Sequence, residues 1–204
     1  MEEEGPALEF WFDFASPYSY VGALSIEEAC RTRGVALAWR PFALGAVFKA
    51  QLGSSDSPFN RQPVRRDYLW RDIERLCARK GAPFRRPSVF PRNPLLALRM
   101  AFAAAGEPWE GDFIRAVFHA HFALDADIAE ADVLAGCLAP HVAEPLAFIA
   151  TATTDRAKAA FRAQTERAMA LPLFGAPTCV TRGERFFGQD RIHEALDWAQ
   201  GPWL

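Results

Sequence analysis

An α/β fold is predicted, in which strands from both ends of the chain build one sheet and an all-helical block is inserted between them. Three observations carry this. Residues 1–60 read as strand, helix, strand and loop; residues 61–172 carry helical patterns and no convincing strand; residues 173–204 return to two short strands and a closing helix. These spans are the expected divisions of the chain.

The first strand is marked by Leu8, Phe10, Phe12 and Phe14 alternating with Glu9, Trp11 and Asp13, the two-residue period of a strand with one strongly apolar face. Ser16 follows as a candidate N-cap, and Pro17 suits the first helical position, where its missing N–H costs nothing. From Tyr18 to about Arg33 the apolar residues Val21, Leu24, Ile26 and Ala29 recur at roughly helical spacing, and Gly34 ends the run. Ser16 is therefore expected at a helix N-terminus. Unpaired N–H groups there favour an anion or thiolate beside its hydroxyl, although a plain Ser-Pro cap reads the same way. Val35 to Phe42 forms a second strand, parallel to the first by the right-handed crossover rule. Leu44 to about Asn60, with Gly45, Gly53, Ser54, Ser55, Asp56, Ser57 and Pro58, reads as a loop long enough to be a lid.

In the helical block, Leu69, Ile73 and Leu76 form one stripe, and Leu95, Leu98, Ala101 and Phe102 another after Pro91 and Pro94. Phe113, Val117 and His121 suggest a third. Asp127 and Glu130 form a capping pair before Ile128, Val133, Leu134 and Leu138, and a last helix runs from about Asp155 to Leu171. Thr178 to Thr181, Arg182-Gly183-Glu184 and Arg185 to Phe187 then read as a hairpin, and Ile192, Ala195, Leu196 and Ala199 as the closing helix.

With 204 residues, half of them hydrophobic and 17 of them Phe, one substantial core is expected. A net charge of −2 argues against nucleic acid as a partner, and no apolar run reaches membrane-spanning length. The acidic start, Met1-Glu2-Glu3-Glu4-Gly5-Pro6, has no basic or apolar region of a secretory signal. Cys30, Cys77, Cys137 and Cys179 are scattered and form no Cys-x-x-Cys pair. A cytoplasmic protein with buried free thiols is expected. No metal is expected, since His119 and His121 lie two apart on different helix faces and no zinc spacing occurs. There is no Gly-x-Ser-x-Gly elbow and no phosphate-binding Gly-rich loop.

Ser16-Pro17-Tyr18-Ser19 stands where the DsbA branch of the thioredoxin superfamily carries Cys-Pro-x-Cys, with serine at both cysteine positions. The wider stretch Phe12-Asp13-Phe14-Ala15-Ser16-Pro17-Tyr18-Ser19-Tyr20 resembles the 2-hydroxychromene-2-carboxylate isomerase family and the related kappa-class glutathione transferases. The resemblance extends over essentially the whole chain and implies a thioredoxin-like fold with a DsbA-type helical insertion. Gly175-Ala176-Pro177-Thr178 falls where thioredoxin-like proteins carry a cis-proline facing the active-site helix, so Pro177 is expected cis, although trans is the default for an isolated X-Pro bond. Ala176 would then offer backbone groups to a peptide-like ligand.

The same resemblance implies glutathione as cofactor. Phe187-Gly188-Gln189-Asp190-Arg191 resembles the segment that binds its γ-glutamyl end, with Gln189, Asp190 and Arg191 as candidates; Asp190 as a mere cap of the last helix is the competing account. The Pro63 to Asp72 segment resembles the family's Pro-x-Lys-x-x-Tyr-x-x-x-Asp, with Arg65 where the family has lysine, and Asn60 stands for a glutathione-binding asparagine. Arg85 and Arg92, within a cation-rich stretch from Arg61 to Arg99 otherwise read as solvated surface, and Lys49 in the preceding loop are candidates for a substrate carboxylate.

Ser16 is the expected catalytic residue, donating a hydrogen bond to the glutathione sulfur. Lowering a thiol pKa by roughly two units takes about 2.7 kcal/mol, within reach of a helix terminus and one charge-assisted bond. The implied activity is isomerisation of 2-hydroxychromene-2-carboxylate or a related small aromatic compound by a homodimer. A kappa-type transferase or peroxidase and a non-catalytic glutathione binder are the alternatives. Dithiol–disulfide exchange needs sulfur at positions 16 and 19.

Overall fold

The computed structural model describes residues 6–203. Its single sheet has the order β2-β1-β3-β4, formed by β1 (Ala7–Phe12), β2 (Ala36–Pro41), β3 (Thr178–Thr181) and β4 (Glu184–Phe187). β1 and β2 are parallel, whereas β1/β3 and β3/β4 are antiparallel. This is the thioredoxin-like arrangement, with a mixed sheet and helices covering it.

β1 is central, and that changes the reading of its pattern. Leu8, Phe10 and Phe12 join the large core, where Phe10 meets Trp39 edge-on at 5.4 Å. Trp11, on the other face, is buried just as completely, in a smaller cluster with Phe42, Val47 and Leu173. Both faces of the strand are covered, so alternation in hydrophobicity does not translate into alternation in burial.

The single helix expected from Tyr18 to Arg33 is two: α1 (Pro17–Ala23) and α2 (Ile26–Arg33). Ser25, at φ −138°, leaves the helical region, and its hydroxyl accepts from Lys80 Nζ at 2.9 Å. The restart has a local signature, Ser25 followed three residues later by Glu28, with acidic residues in the first turn. Gly34 ends α2 at φ 64°, as its position after the last helical residue suggests.

The stretch after β2 is not a plain loop. Leu44–Leu52 forms α3, followed by a short 3-10 turn, Pro58–Arg61. Leu44, Val47 and Phe48 are spaced for one helical face, and Val47 is buried against the Trp11 cluster; this packing outweighs the Gly and Ser content that suggested a loop. Between β2 and β3 follow α4 (Pro63–Arg79), α5 (Leu95–Ala103), α6 (Glu110–Phe122), α7 (Ala131–Leu138), α8 (Pro145–Ala152) and α9 (Asp155–Ala170). α8 lacks an amphipathic pattern in its sequence and was not expected. Asp127 does not cap α7; its carboxylate accepts from Ala129 N–H at 3.0 Å in a preceding turn, and α7 begins at Ala131. The β3–β4 hairpin turns at Arg182 and Gly183, both at positive φ, and α10 (Ile192–Gln200) closes the chain. Among the described residues no helix is long and apolar enough to cross a membrane.

α1 seats tightly on the sheet through Gly22. A Cβ there would sit 2.9 Å from the Phe10 ring and 3.5 Å from Pro177. Gly22→Ala is therefore expected to lower stability by about 1–3 kcal/mol despite the better helix propensity of alanine, measured as a shift in denaturant midpoint.

Candidate functional site

The end of β1 delivers the chain into a turn closed by a hydrogen bond from Ser16 N–H to the Asp13 carbonyl at 3.0 Å. Ser16 caps α1 in extended conformation, and its hydroxyl accepts from Ser19 N–H at 3.2 Å. The same hydroxyl donates to the Ala176 carbonyl at 2.8 Å, joining residues 160 positions apart. The Ala176–Pro177 bond is cis, and the Pro177 carbonyl accepts from Gly188 N–H at 2.9 Å. Because α1 has only seven residues, any anion beside Ser16 is served by the N–H groups of the first turn and not by a long macrodipole.

Ser16 lines a cavity of about 860 Å³. Its walls come from the Asp13–Tyr18 turn, the start of α3, the 3-10 turn with Phe59, the segment from Phe90 to Leu95, and Phe174 to Ala176 with Phe187. Volume and largely apolar lining suit a small organic ligand held by a few polar groups. At the rim, Phe174 and Phe187 pack ring to ring at 4.7 Å over Gly175, where a Cβ would lie 2.3 Å from the Phe187 ring. Tyr18 donates to Asp72 Oδ2 at 3.0 Å, and its phenol is pushed upward by burial and then by that carboxylate.

The candidate ligand-binding residues divide. Arg65 lines the cavity from α4 with an exposed guanidinium that donates to Gln62 Oε1 at 3.0 Å. Arg92 also lines it, but it is buried and held by Asp125 at 2.6 Å, the Ala126 carbonyl at 3.1 Å and Ser88 Oγ at 3.1 Å. Its partner Asp125 is held down to about 2, first by the Ser88 N–H. Asn60 lies beside the lining, donating to Asp56 Oδ1 at 2.8 Å and to the Phe90 carbonyl at 3.3 Å. Lys49 is exposed on α3, and Arg85 is exposed with its N–H on the Phe122 carbonyl at 2.6 Å; neither lines the cavity. Gln189, Asp190 and Arg191 form a 3-10 turn just past Phe187 and beside α1. Asp190 makes no capping bond to α10; it lies 3.8 Å from Arg191, which donates to Glu194 at 2.9 Å.

One residue of the site was not singled out from the sequence. Asp13 is 1 % exposed and lines the cavity; its Oδ1 accepts from Ala15 N–H at 2.7 Å and its Oδ2 from Leu44 N–H at 2.8 Å. Burial pushes its carboxyl up to about 6 against the lowering effect of these two bonds. The signal was an acidic residue between Phe12 and Phe14. His121, expected on the apolar stripe with Phe113 and Val117, is wholly buried, with both ring nitrogens unbonded among the described residues, and is held neutral by desolvation, down to about 3. Nothing there suggests a ligand: among the described residues no group of three or more His, Cys, Asp or Glu side chains is placed to hold a metal. The thiols of Cys30 and Cys77 are pushed up to about 11 by burial, which keeps them protonated and unreactive.

A strand ending in a capped turn, a helix seated on a cis-proline and a helical block inserted between the two halves of the sheet agree with a family match. The model of the DSBA-like thioredoxin domain matches residues 7–198. The chain belongs to this family. It is 24 % identical over 187 residues to 2-hydroxychromene-2-carboxylate isomerase of Sphingobium xenophagum, covering 91 % of this chain and 93 % of that protein. To Glutathione S-transferase kappa 1 of Caenorhabditis elegans it is 27 % identical over 222 residues, covering 97 % and 92 %. A solved structure of 2-hydroxychromene-2-carboxylate isomerase superposes with a TM-score of 0.82 at 24 % identity, covering 96 % of this chain and 94 % of that one, a likeness of fold. Within the DSBA-like family this chain carries hydroxyls at positions 16 and 19, where dithiol chemistry requires sulfur.

The raised pKa of Asp13 has a definite sign in stability. The folded protein holds this proton more tightly than the unfolded chain, so Asp13's contribution is favourable below about pH 4 and is lost as pH rises through about 6. The shift corresponds to about 3 kcal/mol. Unfolding curves of the wild-type protein and Asp13→Asn between pH 4 and 7 are expected to show the wild type losing stability relative to the variant by roughly this amount; parallel curves would contradict it.

Proposed function

We propose that the protein is a glutathione-dependent isomerase acting on 2-hydroxychromene-2-carboxylate or a related intermediate of aromatic catabolism. The observation that carries this is the Ser16 hydroxyl, set in an apolar cavity opposite the cis Ala176–Pro177 bond. The names of the isomerase and kappa-class relatives support the same class of chemistry. Glutathione, when bound beside Ser16 and Ala176, would supply thiolate chemistry for reversible addition to an unsaturated carbon.

This chain's residues have defined tasks in that reading. Ser16 has one proton to donate, and in the free protein the Ala176 carbonyl takes it. Turning the hydroxyl toward a bound sulfur would leave the Ala176 carbonyl in need of another donor, a need that a peptide-like ligand would be able to meet. A hydroxyl at position 16 cannot form a mixed disulfide, so the thiol stays available. The N–H groups of the first turn of α1 add to the stabilisation of negative charge. Arg65, the exposed guanidinium on the cavity wall, pairs with a carboxylate of glutathione or substrate. Asp190, Arg191, Gln189 and Asn60 remain proposed contacts for the γ-glutamyl end and its surroundings, and the aromatic walls exclude water from the reacting carbon. Buried, protonated thiols suit the reducing cytoplasm, where we place the protein as a homodimer.

A kappa-type transferase or peroxidase is the second reading, favoured by the 27 % identity to the nematode kappa-class protein over nearly the whole chain. Turnover of 2-hydroxychromene-2-carboxylate by purified protein, followed by absorbance while reduced glutathione is titrated, separates the two. Glutathione-dependent conversion without thiol loss is expected; consumption of thiol with an aryl halide or a peroxide, and no isomerisation, would establish the second reading. Ser16→Ala should lower kcat by about 10²-fold, the scale of losing one donor to a developing anion, with a smaller effect on glutathione affinity. Unchanged turnover would remove Ser16 from the mechanism.

A further inference from the structure

Asp13 has no task in the reaction just described, yet it lies where two parts of the cavity wall meet. Its side chain bonds Ala15 N–H in the turn that presents Ser16 and, 31 positions along the chain, Leu44 N–H at the first turn of α3. Its carbonyl accepts from Ser16 N–H as well. α3 has no cap of its own, because Ala43 at the N-cap position offers no acceptor. Beside Asp13, the side chain bonded at its start is Thr165 on α9, whose Oγ1 accepts from Ala43 N–H at 3.2 Å. Asp13 therefore brings, from a distant strand end, the anion that the N–H groups opening α3 favour.

The geometry points to Asp13 as a positioning residue: its carboxylate locks the Ser16 turn and α3 into one unit, so that Ser16 keeps a fixed spacing from the Leu44–Phe48 part of the wall. This inference rests on the role proposed for Ser16. Only an acceptor with two oxygens at this reach can serve both N–H groups. Asparagine has one acceptor oxygen and would turn an NH₂ toward the other donor. A serine at position 13 has an oxygen near enough for Ala15 only.

A purely stabilising role fits less well. Among the described residues no lysine or arginine is hydrogen-bonded or ion-paired to the Asp13 carboxylate. The other ionisable side chains on the cavity wall are engaged elsewhere: Tyr18 with Asp72, Arg65 with Gln62 and Arg92 with Asp125. A carboxylate buried without a counter-charge works against folding, so what it contributes is the geometry of the turn and the helix it joins.

The test uses the full chain with Asp13→Asn and Asp13→Ser, checked for native near-UV dichroism. Hydrogen exchange is followed in segments 14–20, 43–50 and 178–187, together with kcat and KM for glutathione-dependent isomerisation. Asp13→Asn should speed exchange about tenfold or more in 14–20 and 43–50 together, leave the 178–187 hairpin unchanged, and lower kcat about tenfold with KM within about twofold. Asp13→Ser should loosen 43–50 and spare 14–20, and it decides the matter alone if the asparagine variant does not fold. Unchanged exchange in 43–50, or raised exchange with wild-type kcat, overturns the inference, as does a uniform loss of protection that includes the hairpin. If the wild-type protein shows no turnover, the isomerase reading fails separately; selective loss of protection in 43–50 then upholds the lock, and its absence overturns it.

Discussion

The site depends on the pairing of β1 with both β2 and β3. The antiparallel register that sets Trp11 opposite Thr178 brings the residues just beyond each strand end into contact, and so places Ser16 against Ala176. Pairing on the other side, Phe12 with Pro41, sends the chain into α3 beside the same turn. Three segments far apart in sequence therefore converge at one end of one strand. The large core of Phe10, Phe12, Phe14 and Phe118 holds that strand in place from one face, and the Trp11–Phe42 cluster holds it from the other.

Polar groups at this convergence are few, and three of them tie its parts together. Ser16 links turn to cis-proline loop, Asp13 links turn to α3, and Tyr18 links α1 to α4 through Asp72. Such bonds, made in a cavity with apolar walls, are stronger than their counterparts in water and are costly to leave unmade. A ligand entering here exchanges its own donors for those already present, beginning with the Ser16 proton. Arg92 illustrates the opposite use of a cation: it faces the cavity but is held by Asp125, Ser88 and Ala126, and serves to fix the 88–92 segment against the turn that follows α6.

Local chemistry explains which features were legible in the sequence. The Ser-Pro start of α1, the Gly34 stop and the Arg182-Gly183 hairpin turn are set by dihedral preferences of single residues, and they stand where these residues stand. The resemblance of Ser16-Pro17-Tyr18-Ser19 and Gly175-Ala176-Pro177 to a known pattern gave the fold and the cis bond. The helix α3 and the apolar α8 were missed because each depends on what packs against it, whereas the break at Leu24-Ser25 has a local signal, Ser25 with Glu28, hidden by apolar residues that continue at helical spacing across it. Cations in the 49–92 stretch could not be ranked, since nothing in their spacing tells which one meets the cavity and which is already paired.

By itself the sequence determined the strand and the capped helix that carry Ser16, the order of strand, helix and insertion, and the presence of serine at positions 16 and 19, which removes dithiol chemistry. Those properties follow from side-chain identity and short-range backbone preference. The tertiary structure alone decided that the Ser16 hydroxyl donates a hydrogen bond to the Ala176 carbonyl, that Arg65 and not Lys49 or Arg85 lines the cavity, and that Asp13 is buried between two N–H donors. Each of these is a meeting of groups far apart along the chain, and only packing the two faces of β1 brings them within hydrogen-bonding distance.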